Sequence, residues 1–277
     1  MFLRKMTYSF TMLSVFILSL SLSFAAKPPA QTAGIHVVAY HTFLGKKNVP
    51  TDFSVEELRE HMTALKEKGF RFVTMSDIMK GNVSGNRNIM ITIDDGNKSV
   101  RRAYDEVFRP MGIKPMLAIY PNIIGRVKYA LNWDELRALE REGCEIAAHG
   151  FYHLPLKEKL YRTKKKDFTN EIVKSRKVLE EKLGKPIRYF VYPSGVTCDE
   201  AIELIKKEGF LCAFTITWGA MKAPLEANPK PYELPRYMLV KENWKNVFAL
   251  FERRSGGDRK KKRVRYVKEL MVMKSGG

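Results

Sequence analysis

Short apolar strands alternate with amphipathic helices along most of this 277-residue chain, and the alternation restricts the fold more than any other feature. The first unit is a strand over 34–40 and a helix over 54–69, in which Ser54 and Glu57 form a capping box. Glycines follow the last turn of four predicted helices: Gly69, Gly143, Gly184 and Gly209. Strands that are separated by helices pair in parallel, so the pattern predicts an α/β protein.

About eight strands are predicted, enough for the sheet to close into a distorted β/α barrel of about seven or eight parallel strands. An open, doubly wound sheet is the alternative, but the chain has no GxGxxG motif to support dinucleotide binding. In both architectures ligands bind at the carboxyl ends of the strands. The predicted strands are 34–40, 70–75, 88–94, 114–120, 144–149, 187–193, 210–218 and 232–240.

The first 26 residues are typical of a secretory signal peptide. Arg4 and Lys5 precede an uncharged apolar stretch at 10–24, and small residues follow it. We therefore expect an exported protein, periplasmic or extracellular, whose single domain spans 27–254. The alternative is a signal that is not cleaved and keeps the protein at the membrane.

The chain is strongly basic, with a formal net charge of +19. Much of the excess lies in 157–166 and in 259–265, and the second run belongs to a predicted C-terminal tail at 255–277. Such charge favours anionic partners. For an exported protein we expect an anionic envelope surface, and we expect no nucleic acid. The alternative is that both runs are simply solvated.

Residues that suit metal chemistry follow several predicted strands. Asp94 and Asp95 end one strand, His149 and His153 follow another with i, i+4 spacing, and His41 follows the first. Two imidazoles and one carboxylate are a common ligand set for Zn²⁺ or Fe²⁺ and leave positions for water. The second carboxylate would stay free as a general base. Taken alone, the two carboxylates also fit a turn that ends a strand and caps a helix.

Three motifs resemble, in this order, those of the polysaccharide deacetylases, the NodB-homology carbohydrate esterases. They are ITIDDG (91–96), HGFYH (149–153) and YFVYPSG (189–195). VVAYHTF (37–43) and LPRYMLV (234–240) resemble the branch of exported poly-N-acetylglucosamine deacetylases. The resemblance implies a NodB-type distorted barrel that removes N-acetyl or O-acetyl groups from sugar polymers with a divalent metal ion, for which Zn²⁺ is the first expectation.

The resemblance also implies a role for each motif residue. Asp94 matches the general base, and Asp95, His149 and His153 match the metal ligands. The third motif lines the substrate groove and offers a backbone N–H to the developing oxyanion. Its matching residues are Tyr192, Pro193 and Gly195.

The chain departs from the family pattern at several positions. Val191 stands where many members carry an arginine that holds the base, and Arg236 or Arg188 is expected to supply that charge; Arg236 is also grouped with the substrate groove. The late histidine that acts as general acid in many members is absent, so His41 is expected in this role, with a purely structural role as the alternative. Trp218 either stacks on a sugar or packs in the core.

These features together predict a metal-dependent deacetylase, a hydrolase of carbon–nitrogen bonds other than peptide bonds. Its expected substrate is an N-acetylglucosamine-containing polysaccharide of the cell wall or an exopolysaccharide. One alternative is a non-catalytic glycan-binding or wall-associated protein on the same barrel. A second is a metal amidase that acts on wall peptides.

Overall fold

The computed structural model describes residues 32–256, so the predicted signal peptide and nearly all of the predicted basic tail lie outside the described residues. The strands are β1 (Ala33–Tyr40), β2 (Arg71–Phe72), β3 (Asn88–Asp94), β4 (Met116–Ile119), β5 (Glu145–Ala148), β6 (Tyr189–Val191), β7 (Cys212–Phe214), β8 (Met221–Ala223) and β9 (Tyr237–Met238). The helices are α1 (Val55–Glu67), α2 (Met75–Met79), α3 (Ser99–Ala103), α4 (Trp133–Arg141), α5 (Glu158–Thr163), α6 (Lys165–Thr169), α7 (Ser175–Leu183), α8 (Asp199–Lys207) and α9 (Trp244–Arg254). Within the described range, no helix is both long and apolar enough to span a membrane.

The strands form one curled sheet in the order β7-β6-β5-β4-β3-β1-β8, with β2 beside β3 and β9 beside β1. Pairing is parallel except between β1 and β8. The segment 231–239, here called the closing segment, lies between the two ends of the parallel run: Leu234 bridges to Phe214 of β7, and Tyr237 pairs with Val38 of β1. The predicted distorted barrel is confirmed, whereas the antiparallel strand β8 was not predicted.

Alternate residues of each strand enter two separate apolar clusters, as the period of two requires. In β1, Ile35 and Val37 belong to the cluster that fills the barrel interior, while Val38 and Tyr40 belong to the cluster under the helices. The other strands of the barrel divide in the same way. Successive residues of a strand therefore point alternately into the barrel and towards the helices, and we call this the parity of a residue.

The helices follow the local signals of the sequence closely. Ser54 and Asn132 begin α1 and α4, each in a capping box with the glutamate three residues later. The long helix predicted over 167–184 is α6 and α7 joined by a π-helical turn at Asn170–Lys174. The strand predicted over 70–75 is shorter, because the chain turns into α2 after Phe72.

Helix α9 packs on the outer face of β1 through Phe251, which is fully buried. Its ring stacks 4.3 Å from the imidazole of His36 and lies edge-on to Tyr237 at 4.9 Å. Burial, with a smaller effect of Arg254, lowers the pKa of His36 to about 4, so this imidazole is neutral at neutral pH. His36 is thus a packing residue of the core.

We expect Phe251→Ala to lower the free energy of unfolding by about 3–5 kcal/mol, because it leaves a cavity between α9 and β1. Arg253→Ala, an exposed change in the same helix, should cost less than about 0.5 kcal/mol. Urea denaturation followed by circular dichroism measures both. Equal losses in the two variants would show that the packing of α9 does not support the barrel.

Candidate active site

Several predicted site residues continue the inward-facing rows of neighbouring strands. Asp94 lies four residues after Met90 of β3, and His149 lies two residues after Ala147 of β5, so both continue inward-facing rows. His41 lies two residues after Ala39 and continues the inward-facing row of β1 in the same way. β1 pairs with β3, and only β4 separates β3 from β5. All of these strands are parallel, so the three side chains lie at the same carboxyl end of the barrel. Period-two alternation is the reason that this part of the sequence forms a site.

Asp94 lies in a buried ion pair with Arg236. The two guanidinium nitrogens Nη1 and Nη2 donate to Oδ1 and Oδ2 of Asp94 at 2.8 and 3.0 Å, and both residues are almost fully buried. Arg236 also donates to Thr92 Oγ1 at 2.9 Å and to the carbonyl oxygen of Thr215 at 3.0 Å. All of its donor groups therefore face protein atoms, and its side chain does not line an open groove. Arg188, the other candidate partner, is exposed.

The ion pair sets the charge state of Asp94. Burial alone raises the pKa of this carboxyl group, but the charge and hydrogen bonds of Arg236, with His149 and His41 nearby, outweigh burial and hold the pKa below its ordinary value. Asp94 is therefore ionised throughout the neutral range. Its Oδ2 atom lies 3.9 Å from Nε2 of His149.

Asp95 turns back towards the same site because its backbone is left-handed, with φ at 76°. The next residue, Gly96, is also left-handed at 81°, and a Cβ atom there would lie 3.0 Å from Ile119. A regular strand would point Asp94 and Asp95 to opposite faces. The left-handed pair redirects Asp95, so that two adjacent carboxylates serve one site.

His153 lies on a loop whose backbone is hydrogen-bonded to the carboxylate of Glu171. The Glu171 carboxylate is fully buried and accepts the backbone N–H groups of Phe151, Tyr152 and Leu154 at 3.0, 2.8 and 3.0 Å. The loop includes His153, which has a left-handed backbone with φ at 64°. Burial holds the pKa of Glu171 above its ordinary value, although these hydrogen bonds act in the opposite direction. Sequence reasoning missed Glu171; its signal is a carboxylate on the same helical face as buried apolar residues.

Asp95, His149 and His153 bring three ligand atoms together. Asp95 Oδ1 lies 3.7 Å from His149 Nε2 and 3.5 Å from His153 Nε2, and the two Nε2 atoms are 3.1 Å apart. A point at the centre of this triangle is about 2.0 Å from each atom, the usual length of Zn–N and Zn–O bonds. The three side chains therefore fit a divalent metal ion.

The protonation of His149 agrees with this fit. Its Nδ1 atom lies 2.8 Å from the carbonyl oxygen of Val191, which can only accept, so Nδ1 carries the proton and Nε2 presents its lone pair to the other ligands. Burial lowers the pKa of His149 to about 4, although Asp94 and Asp95 act in the opposite direction. A neutral imidazole with a free Nε2 is the form that binds metal ions.

The third motif takes a different position from the one predicted for its tyrosine. Tyr192 has the outward parity, is fully buried under the helices and donates its hydroxyl to the carbonyl oxygen of Tyr232 at 3.0 Å. The side chain of Tyr192 therefore does not line the groove. Pro193 is buried against Gly150, and Gly195 is required because a Cβ atom would lie 2.3 Å from Ile216.

The backbone donors of this motif are also mostly occupied. The N–H of Tyr192 donates to Phe214 at 3.0 Å, the N–H of Gly195 donates to Tyr192 at 2.8 Å, and Pro193 has none. Ser194 remains, with a left-handed backbone at φ 56° and no recorded acceptor for its N–H among residues 32–256. Sequence reasoning missed Ser194, although its place between Pro193 and Gly195 is a signal for an unusual backbone.

His41 is partly exposed and follows β1, the strand that pairs with β3. Its Nδ1 atom is buried and has no hydrogen-bond partner in the described part of the chain. Asp52 fixes the loop that follows, since its buried carboxylate accepts from the N–H of Leu44 at 2.9 Å and from Thr42 and Lys46. These hydrogen bonds fix the backbone that follows His41 at the carboxyl end of β1.

Three converging ligand atoms beside an ionised carboxylate are an arrangement that can support hydrolysis by a metal ion and a general base. The family model for polysaccharide deacetylases matches residues 81–213, the part of the chain that contains Asp94, Asp95, His149 and His153. This match confirms the resemblance to the polysaccharide deacetylases that the motifs of the sequence predicted. The predicted enzyme class is confirmed at the level of this family.

Known proteins of this family resemble the chain along most of its length. A poly-β-1,6-N-acetyl-D-glucosamine N-deacetylase of Staphylococcus aureus is 20% identical over 211 residues, which are 72% of this chain and 71% of the relative. The solved structure of IcaB from Ammonifex degensii has a TM-score of 0.70 at 22% identity and covers 80% of this chain and 98% of its own. A Streptococcus pyogenes deacetylase in complex with acetate has a TM-score of 0.66 at 14% identity, and the match covers 78% of this chain and 97% of the deacetylase. The structural likeness supports the fold.

We expect Arg236→Met to lower the free energy of unfolding by about 3–5 kcal/mol, because it leaves the Asp94 carboxylate buried without a partner. The double variant with Asp94→Asn should recover part of this loss, since the buried charge is then removed. Arg188→Met, at an exposed arginine, serves as the control and should be neutral. Urea denaturation measures all three, and an equal loss for Arg188→Met would contradict the assignment of Arg236.

We expect Glu171→Gln to weaken Zn²⁺ binding about 10- to 100-fold, because an amide has one acceptor atom where the carboxylate has two for the 151–154 loop. Isothermal titration with Zn²⁺ alone measures the effect. Glu181→Gln, an exposed change on α7, is the matched control. Unchanged affinity in Glu171→Gln would show that the loop holds His153 without the carboxylate.

Proposed function

We propose that this chain is a metal-dependent N-deacetylase of an N-acetylhexosamine polysaccharide. The observation that carries the proposal is the triangle of Asp95, His149 and His153 with an ionised, buried Asp94 at its edge. Relatives named as poly-β-1,6-N-acetyl-D-glucosamine N-deacetylases support an N-acetylglucosamine polymer as the substrate.

Asp95, His149 and His153 would hold the metal ion, and we propose Zn²⁺. The ligand set of two imidazoles and one carboxylate, and the separations of its atoms, support this choice. When bound, such an ion supplies Lewis acidity that polarises the amide carbonyl group and acidifies water.

Asp94 is the proposed general base. It accepts a proton from the attacking water while Arg236 keeps its carboxylate ionised and fixed in direction. Because both oxygens of Asp94 receive hydrogen bonds from one guanidinium, the carboxylate cannot rotate away. The role of Arg236 is to position the base.

His41 is the proposed general acid, and the N–H of Ser194 is the proposed oxyanion donor. The location of His41 at the end of the inward row of β1 supports a role in protonating the leaving amine nitrogen. The N–H of Ser194 is available to a substrate oxygen, since neighbouring N–H groups already donate within the protein. The products are acetate and a free amine on the sugar.

The setting of this activity is also part of the proposal. The apolar stretch in 1–26 supports export to the periplasm or the cell exterior, with or without cleavage of the signal. The basic run at 259–265 supports contact with an anionic envelope surface, and nucleic acid is not an expected partner.

Acetate release from N-acetylglucosamine oligomers tests the proposal. The Zn²⁺-loaded wild type should release acetate and lose this activity on chelation. Asp94→Asn should lower kcat by about 10²- to 10⁴-fold and His41→Ala by about 10²-fold, because each removes a proton-transfer group. Asp134→Asn, at a highly exposed carboxylate, is the control.

Other outcomes would favour the alternatives. Full activity in Asp94→Asn would contradict the assignment of the base. Binding of oligomers by the Zn²⁺-loaded protein without any acetate release would favour a glycan-binding protein. Hydrolysis of wall stem peptides in preference to the acetylated oligomers would favour an amidase.

A further inference from the structure

The two histidines of the proposed metal site are held in different ways. His149 donates from Nδ1 to the carbonyl oxygen of Val191 at 2.8 Å, so a hydrogen bond fixes the direction in which its Nε2 points. The Nδ1 atom of His153 has no hydrogen-bond partner within residues 32–256, although its Nε2 lies 3.1 Å from that of His149. Metal-binding histidines usually obtain their ring orientation from a bond at the second nitrogen. The ring of His153 is therefore oriented by contacts of another kind.

The backbone of His153 does not supply the missing restraint. Glu171 accepts hydrogen bonds from the N–H groups of Tyr152 and Leu154, on either side of His153, and these bonds fix the main chain of the loop. They do not restrain the two side-chain torsions of His153, whose side chain is 32% exposed. Fixing the main chain thus does not by itself direct Nε2 of His153 towards Asp95.

Tyr120 supplies a ring against which the imidazole of His153 packs. The two ring centroids are 5.2 Å apart, at an interplanar angle of 45°. The imidazole of His149 lies edge-on to that of His153 at 4.7 Å. Aromatic rings at such separations attract each other. The imidazole of His153 therefore contacts two neighbouring rings, and Tyr120 is the one that is not itself a proposed metal ligand.

The backbone at Tyr120 is tied to the same part of the sheet as the other proposed ligands. Tyr120 directly follows Ile119, the last residue of β4, and β4 lies between β3 and β5, which lead to Asp95 and His149. The carbonyl oxygen of Ile119 accepts the N–H of His149 at 2.9 Å. Pro121 restricts the backbone further, because its ring fixes its own φ angle and limits the residue before it. The ring of Tyr120 thus projects from a rigid segment.

We propose that Tyr120 is a positioning residue for His153, and that its ring raises the affinity of the site for the metal ion. The proposal rests on the proposed function in one respect, since it takes His153 to be a metal ligand, but it does not depend on the substrate. A ring that holds the imidazole in its binding orientation before the ion arrives reduces the conformational entropy lost on binding. The phenol hydroxyl has no part in this role, so phenylalanine can replace Tyr120.

Titration of Zn²⁺ into the chelator-treated full chain tests the proposal. For Tyr120→Ala we expect the Kd for Zn²⁺, measured by calorimetry, to rise about tenfold, because the imidazole of His153 loses its packing partner. Tyr120→Phe keeps the ring and should stay within about twofold of the wild type. Tyr152→Ala is the matched control, because this tyrosine precedes His153 on the same loop but its exposed ring packs on Phe151 at 4.7 Å.

A double-mutant cycle with His153→Ala separates positioning from a general effect on the fold. If Tyr120 acts through the imidazole of His153, adding Tyr120→Ala to His153→Ala should change the Kd by less than about twofold. A further tenfold loss in that background would show that Tyr120 acts by another route and would overturn the proposal. Thermal unfolding of the metal-free variants shows which are folded. Tyr120→Leu, which lacks the ring but fills much of its volume, replaces Tyr120→Ala if the latter is unfolded, and weaker binding is again expected.

The measurements also separate this proposal from the deacetylase activity, because acetate release by the Zn²⁺-loaded wild type is measured in parallel. If the wild type binds Zn²⁺ but releases no acetate, and Tyr120→Ala binds more weakly, the positioning role stands and the deacetylase activity fails. Acetate release with an unchanged Kd in Tyr120→Ala overturns the positioning role alone. Absence of Zn²⁺ binding in the wild type, or an equal loss in Tyr120→Phe or Tyr152→Ala, also overturns it.

Discussion

The ion pair between Asp94 and Arg236 connects the chemistry of the site with the closure of the barrel. Asp94 is the last residue of β3, whereas Arg236 lies in the closing segment between β7 and β1. The backbone of Arg236 donates to Thr217 at 3.1 Å, and its side chain crosses the interior to Thr92 and Asp94. A buried carboxylate without this partner would be strongly unfavourable. The same contact therefore fixes the proposed base and joins the two ends of the sheet.

Unusual backbone geometry is concentrated at the site. The non-glycine residues with left-handed backbone within 32–256 are Asp95, His153 and Ser194, which are two of the proposed metal ligands and the proposed oxyanion donor. Each such residue costs free energy, so the surrounding structure must enforce it. For His153 the stabilising contacts are the hydrogen bonds that Glu171 accepts from the residues on either side of it. The unfavourable backbone conformations therefore occur in the segments that bring the proposed ligand atoms together.

Much of this arrangement could be predicted from the sequence, because it depends on local rules. Alternation along strands places His41, Asp94 and His149 on the inside, and capping boxes begin α1 and α4 where expected. The sequence also supplied the ligand set of Asp95, His149 and His153, which the structure brings together. These features need only the spacing of residues within one segment and the rule that parallel strands end together.

The remaining features depend on contacts between distant parts of the chain. Nothing local distinguishes Arg236 from Arg188 as the partner of Asp94, because 142 residues separate the pair in sequence. The motif placed Tyr192 in the groove, but its parity in β6 sends it under the helices.

Arg236 follows the residues of the triad by a long stretch of sequence, and this order has a consequence for assembly. The proposed metal ligands all precede residue 154, so they are synthesised long before the arginine that pairs with Asp94. A chain that ends before the closing segment would carry every ligand but a base with no counter-charge and a barrel with an open seam. The carboxylate of Asp94 thus acquires its counter-charge only when the closing segment has folded into place.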